Sequence, residues 1–250
     1  MITVFAILLG LATLSQGADQ LLFAQAVYRH GDRTPTGTYP NDPYNETFWG
    51  LSWGELTKRG MGQHFLQGAR LRARYVDTYK LIRGKYNRDD VYLRSANTPR
   101  CMQSAYSNAA GLYNDSPTAP TDVPDWPAGW APIPVHCVPF GEDRVCEYGG
   151  SCEKVGVLRA ERVVKKGYLE YVATQADLVE TILQNGGGNI STDFDTLFHI
   201  YQSISIEKGV YNLTLPAWIT DDVYNRLNQF VENSEDYVYG SGEMSVYLPN

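Results

Sequence analysis

Residues 29–35 read Arg-His-Gly-Asp-Arg-Thr-Pro, two arginines flanking a histidine, and Arg94 closes a second apolar run. A guanidinium is a rigid planar fork that pairs bidentately with phosphate oxygens, which an ammonium does less well. Like charge around His30 disfavours the imidazolium and lowers its pKa, so the ring stays an unprotonated nucleophile even in acid. Such a ring suits in-line attack on phosphorus and a covalent phosphohistidine. Gly31 lets the backbone turn sharply or come close to a ligand. A bare Arg-His-Gly is also compatible with Arg29 and Arg33 as surface charges and His30 as a helix cap. Five fixed positions, Arg29-His30-Gly31-x-Arg33-x-Pro35, occur by chance in 250 residues only on the order of 10⁻⁴ of the time.

These residues need elements to carry them. Leu21 to Tyr28 is a short apolar run that predicts a buried strand, and the chemistry starts at its end. Residues 36–53, rich in Pro, Gly, Asn and Asp, predict a loop. Thr57 can cap a helix to about Tyr75, with Met61, Phe65, Leu66, Ala69 and Ala73 recurring at helical spacing. A second strand, Asp90 to Arg94, delivers Arg94 at its carboxyl end, and Pro99 opens a helix to about Tyr113. After a Pro-rich stretch, Ile133 to His136 reads as extended. Residues 153–183 read helical, with Leu169, Val172, Ala176, Val179 and Leu183 on one face, and Gly186-Gly187-Gly188 ends that run. Two more helices follow, about Asp193 to Ser205 and Asp221 to Glu232. The order predicts an α/β fold, a parallel sheet with a mostly helical second region. In open sheets of that kind, ligands bind at the carboxyl ends of the strands.

The extended string resembles the signature of the histidine acid phosphatases, the branch of the histidine phosphatase superfamily related to the prostatic and lysosomal enzymes. The likeness continues in Leu56-Thr57-Lys58-Arg59-Gly60-Met61-Gly62-Gln63-His64, in Leu71-Arg72-Ala73-Arg74-Tyr75 and in Val91-Tyr92-Leu93-Arg94-Ser95. Ile133-Pro134-Val135-His136 and Asn212-Leu213-Thr214-Leu215-Pro216 also match family segments, so the resemblance covers nearly all of residues 21–220. It implies a parallel-sheet histidine phosphatase core with a mostly helical second region. It also implies hydrolysis of phosphate monoesters without metal or organic cofactor. His30 would be the nucleophile, and Arg29, Arg33 and Arg94 would bind the phosphoryl group and stabilise charge in the transition state.

The same resemblance calls for a late His-Asp motif whose aspartate protonates the leaving oxygen. The four histidines precede Gly31, Phe65, Cys137 and Ile200, so no His-Asp or His-Glu pair exists and no general acid is found in this chain. The expectation is a domain over residues 18–250 whose C-terminal part of the core is missing, with an α/β core part at 18–146 and a mainly helical region at 147–235. Asp32 is the carboxylate nearest in sequence, but adjacency to His30 does not make it a leaving-group acid. His64 and His136 are expected to pack and hydrogen-bond, and His199 to be structural.

Targeting and composition agree with export. Ile2 to Leu14 is a nearly unbroken apolar run, and Ser15-Gln16-Gly17 offers small residues for cleavage, so residues 1–17 read as a secretory signal peptide. Sequons at Asn45, Asn114, Asn189 and Asn212 are glycosylation candidates. Four cysteines, Cys101, Cys137, Cys146 and Cys152, suit disulfides in an oxidising compartment, with all three pairings open. There is no Cys-x-x-Cys and no close His pair, so no zinc site is expected. With 28 acidic against 21 basic residues the net charge is −7, which argues against nucleic-acid capture. No later stretch is long and apolar enough for a membrane span. The expectation is a secreted or lysosomal acid phosphatase. Its alternatives are a truncated phosphate-binding, catalytically impaired protein and a secreted interaction protein that keeps the fold without the chemistry.

Overall fold

The computed structural model describes residues 20–114, 117–146 and 152–240; the expected signal peptide lies outside them. The helices begin where the sequence supplies caps. Helix α1 spans Glu46–Trp49 and α2 spans Lys58–Arg72, where the Thr57 side chain accepts from the Gly60 amide. A π-helical turn, Ala73–Thr78, continues α2. Helix α3 covers Pro99–Leu112, with proline in its first turn. Helices α4 (Glu153–Val163), α5 (Lys166–Ala173) and α6 (Ala176–Gly186) then follow in close succession. Asp193 caps α7 (Phe194–Ser205), which runs on as the π-helical turn Ile206–Val210. Thr220 caps α8, Asp221–Tyr239, about two turns longer than its sequence pattern predicts.

Sheet structure differs from expectation. Leu21 to Tyr28 forms no regular secondary structure, and Leu22, Phe23 and Val27 are exposed, Val27 to 90%. A strand of this composition is buried only where neighbours pair its edges and helices cover its faces. No such neighbour stands among the described residues. Two isolated bridges are present, Arg33 to Leu56 antiparallel and Arg94 to His136 parallel. In the second, the Ser95 amide donates to the His136 carbonyl at 2.9 Å and the His136 amide to the Leu93 carbonyl at 2.9 Å. The expected parallel sheet is thus represented, among the described residues, by this one parallel bridge.

Two apolar clusters of four or more buried residues stand among the described residues. Ala109, Leu112, Tyr113 and Ile133 form one, beneath α3. The other gathers Leu178, Ile182, Leu197, Ile200, Ile204, Ile219, Leu227, Phe230 and Val231 from α6 to α8. Tyr39, from the loop that follows the Arg-His-Gly string, is buried in this helical cluster.

Helix α2 meets α3 through glycine rather than through its apolar stripe. A Cβ on Gly68 would run into the Asn108 carbonyl, and one on Gly111 into the Phe65 carbonyl, so the two backbones touch. The buried face of α2 is Gly60, His64 and Gly68; the predicted Met61, Phe65 and Leu66 are exposed. The expected face along 153–183 also shifts, because breaks after Val163 and Ala173 reset the helical phase. Tyr168, Leu178 and Ile182 are buried instead, while Leu169 and Leu183 are exposed. No disulfide joins Cys101, Cys137, Cys146 and Cys152 in these described segments, against the expected framework.

Candidate active site

The Arg29–Pro35 segment has no helix or strand of its own, so its shape is imposed by contacts. The Asp32 carbonyl accepts from the Thr57 amide at 3.0 Å, and the Thr34 amide donates to the Glu55 carbonyl at 3.0 Å. The Gly31 amide donates to Ser104 Oγ of α3 at 3.0 Å, and the Asp32 amide to Gln63 Oε1 of α2 at 2.8 Å. His64, buried against the Tyr28 ring, bonds the Arg29 backbone. A Cβ on Gly31 would strike the Gly60 backbone, so only glycine lets the segment lie this close to α2.

His30 is half-buried, and its Nδ1 lies 2.8 Å from the Gly31 carbonyl. A carbonyl oxygen only accepts, so Nδ1 carries the proton and Nε2 keeps its lone pair. Burial lowers the His30 pKa, and the charges of Arg29, Arg100 and Arg33 push the same way, against the opposing Gly31 bond. Arg33 is 6% exposed; it donates to the Thr34 carbonyl at 2.8 Å and to Gln202 Oε1 of α7 at 2.6 Å. Burial first, then Arg29 and Arg100, brings its pKa down to about 10. The Nε atoms of Arg33 and Arg100 are buried and donate to no described group.

Of the arginines expected here, Arg29 and Arg33 converge on His30. Arg94 is not among the charges that lower the His30 pKa. Arg94 reaches 2.6 Å from the fully buried Asp143, whose carboxylate also accepts the Val145 and Cys146 amides at 2.9 Å. Burial opposes the Asp143 carboxylate, but these amides and Arg94 outweigh it and hold its pKa below the ordinary value. The third charge on His30 belongs to Arg100, in the first turn of α3, a residue that sequence reasoning misses. A signal was there: Pro99 starts a helix just after the predicted strand of Arg94, which puts Arg100 in its first turn, close in sequence to that strand end.

The other expectations resolve as follows. Asp32 is anchored as an acceptor, its Oδ2 taking bonds from Thr57 Oγ1 and Tyr211 Oη, each at 2.5 Å. His136 stacks on Tyr92 with ring centroids 4.7 Å apart, and His199 Nδ1 lies 2.9 Å from Thr36 Oγ1. Among the described residues no cluster of His, Cys, Asp or Glu could hold a metal ion, and no helix is long and apolar enough to cross a membrane.

Known proteins resemble this chain in sequence and in fold. The chain is 34% identical over 239 residues to prostatic acid phosphatase of Rattus norvegicus, covering 94% of this chain and 60% of that protein. It is 34% identical over 226 residues to lysosomal acid phosphatase of Homo sapiens, covering 89% and 51%. The chain therefore spans half to three-fifths of the length of these relatives. In structure it is similar to Hafnia alvei phytase, at a TM-score of 0.50 and 17% identity over 84% of this chain and 59% of that one, a likeness of fold alone. Residues 20–155, which carry Arg29, His30, Arg33 and Arg100, match the histidine phosphatase superfamily (branch 2), and the chain belongs to that family.

Proposed function

We propose that this chain carries the phosphoryl-transfer site of a secretory-pathway acid phosphatase. The observation that carries the proposal is the Nδ1 bond from His30 to the Gly31 carbonyl, beside three arginine charges that lower its pKa. In the proposed reaction the Nε2 lone pair attacks phosphorus, the ester P–O bond breaks and the leaving oxygen takes a proton from water. Water then attacks the phosphohistidine, returning neutral His30 and inorganic phosphate. Arg29, Arg33 and Arg100 bind the phosphoryl oxygens and offset the charge that develops on them. Arg94 holds Asp143 through one nitrogen, and its proposed part is to fix the Leu93–Ser95 segment beside the site. No metal is assigned a part.

The substrate class is a phosphate monoester, as the names of the acid phosphatase relatives suggest. Entry to the secretory pathway, glycans on the exposed Asn45, Asn114, Asn189 and Asn212, and the division at 18–146 and 147–235 belong to the same proposal. The test is rapid quenching with a labelled aryl phosphate. The expected result is a base-stable, acid-labile adduct on the wild-type chain and none on His30→Ala. A wild-type chain that binds phosphate and forms no adduct would favour a binding protein, the reading that the bonded state of Asp32 keeps in play.

A further inference from the structure

We propose that Gln63 is a positioning residue that sets the tautomer of His30 through the Gly31–Asp32 peptide. This rests on the phosphohistidine reading above. The peptide plane in question has two polar ends. Its carbonyl, that of Gly31, accepts from His30 Nδ1 at 2.8 Å, and its N–H, that of Asp32, donates to Gln63 Oε1 at 2.8 Å. A trans peptide is planar, with C=O and N–H pointing in opposite directions. The group that holds the N–H therefore aims the carbonyl. Gln63 pulls from the α2 side, and the carbonyl on the far side meets the imidazole.

Neighbouring contacts remove the alternatives. The preceding plane, His30–Gly31, is fixed separately by its N–H to Ser104 Oγ. The Asp32 carbonyl is held by the Thr57 amide. Between these two fixed points the Gly31–Asp32 unit can still rotate about the Gly31 and Asp32 dihedrals, and glycine offers little resistance to that rotation. Gln63 is the side chain that stops it. If the plane turned over, its N–H would face the imidazole, Nδ1 would become the acceptor and the proton would move to Nε2. The ring would then present no lone pair at Nε2 to phosphorus. Gln63 touches no reacting atom in this scheme.

Gln63 lies on the exposed side of α2, so it can be replaced without opening the core. Two variants separate the hydrogen bond from the side chain's bulk: Gln63→Leu removes the acceptor, and Gln63→Glu keeps one. The first readout is the ¹⁵N shift pattern of the His30 ring in the full chain, which reports the tautomer whether or not the protein turns over. Wild type and Gln63→Glu should show protonated Nδ1, and Gln63→Leu a growing share of protonated Nε2. The second readout is the single-turnover phosphorylation rate with an aryl phosphate. It should fall up to about tenfold in Gln63→Leu, the worth of one hydrogen bond, while competition by inorganic phosphate stays within about twofold. Gln63→Glu should recover most of the rate. An unchanged tautomer in Gln63→Leu, or an equal loss of rate in both variants, would overturn the proposal. If the wild type forms no adduct, the phosphohistidine reading fails, and the ring shifts still decide the role of Gln63.

Discussion

At the scale of single residues, the distribution of charge around His30 separates two arginines that the sequence makes look alike. Arg100 lowers the His30 pKa, so Arg100→Ala should raise it, and the acid limb of the kcat/KM profile should move to higher pH. The same variant should slow phosphorylation by about 10²–10³-fold, the cost of removing one preorganised donor. Arg94→Ala should behave differently. It deprives a fully buried Asp143 of its cation, while the Val145 and Cys146 amides remain. A loss of about 2 kcal/mol in denaturant unfolding is expected, with the acid limb of the profile unmoved. If Arg94→Ala shifted that limb as far as Arg100→Ala, the assignment of the third guanidinium would be wrong.

At the scale of elements, the site depends on how closely α2 and α3 approach, since each supplies one bond to the Gly31 and Asp32 amides. That approach is set by Gly68 and Gly111, where any Cβ meets backbone on the partner helix. Alanine is worth roughly 1 kcal/mol more than glycine in a helix interior, yet Gly68→Ala should destabilise by about 1–3 kcal/mol, because the helices must separate. Gly62, on the same helix, has nothing within 4 Å of the place a Cβ would take. Gly62→Ala should therefore stabilise by about 0.5–1 kcal/mol. Opposite signs in denaturant titrations of two glycines on one helix would show packing overruling propensity; the same sign would remove the glycine seam from the account.

At the scale of the whole molecule, the loop after the site is docked on the helical region through polar groups as well as Tyr39. Ser203 Oγ donates to the Gly37 carbonyl, and Gln202 holds Arg33. Beside this seam lies Glu207, fully buried against Asp42, whose carboxylate takes bonds from Thr38 Oγ1 and, at 2.8 Å, the Tyr44 amide. Burial first, then Asp42, pushes the Glu207 pKa up to about 9 from an ordinary 4.5. A folded-state pKa raised above the unfolded one means that the folded chain retains a proton the unfolded chain releases. The contribution to stability is thus fully present below about pH 4.5 and lost as pH rises toward 9, with a slope approaching tenfold in the folding equilibrium per pH unit. Denaturant midpoints measured across this window should fall for the wild type and flatten for Glu207→Gln. Equal slopes for the two would assign the pH dependence to other groups.

Local chemistry made much of this legible in the sequence. Thr57, Pro99 and Asp193 start helices because capping and proline geometry depend on a few adjacent residues, and the glycines at 186–188 stop one for the same reason. The string from Arg29 to Pro35 was sufficient to point to the family and to His30. What the sequence did not reveal depends on groups far apart in the chain. The charge of Arg100 bears on His30 from the first turn of α3, and Arg94 pairs with Asp143, 49 residues downstream. Asp32 is an anchored acceptor because Tyr211, 179 residues away, reaches it. The apolar pattern of α2 pointed to the wrong face because backbone-to-backbone packing, which leaves no hydrophobic signature, chose the glycine side. Short-range sterics and hydrogen bonds are written in adjacent residues, whereas the partner of a charge and the face a helix buries are decided only when the distant segments meet.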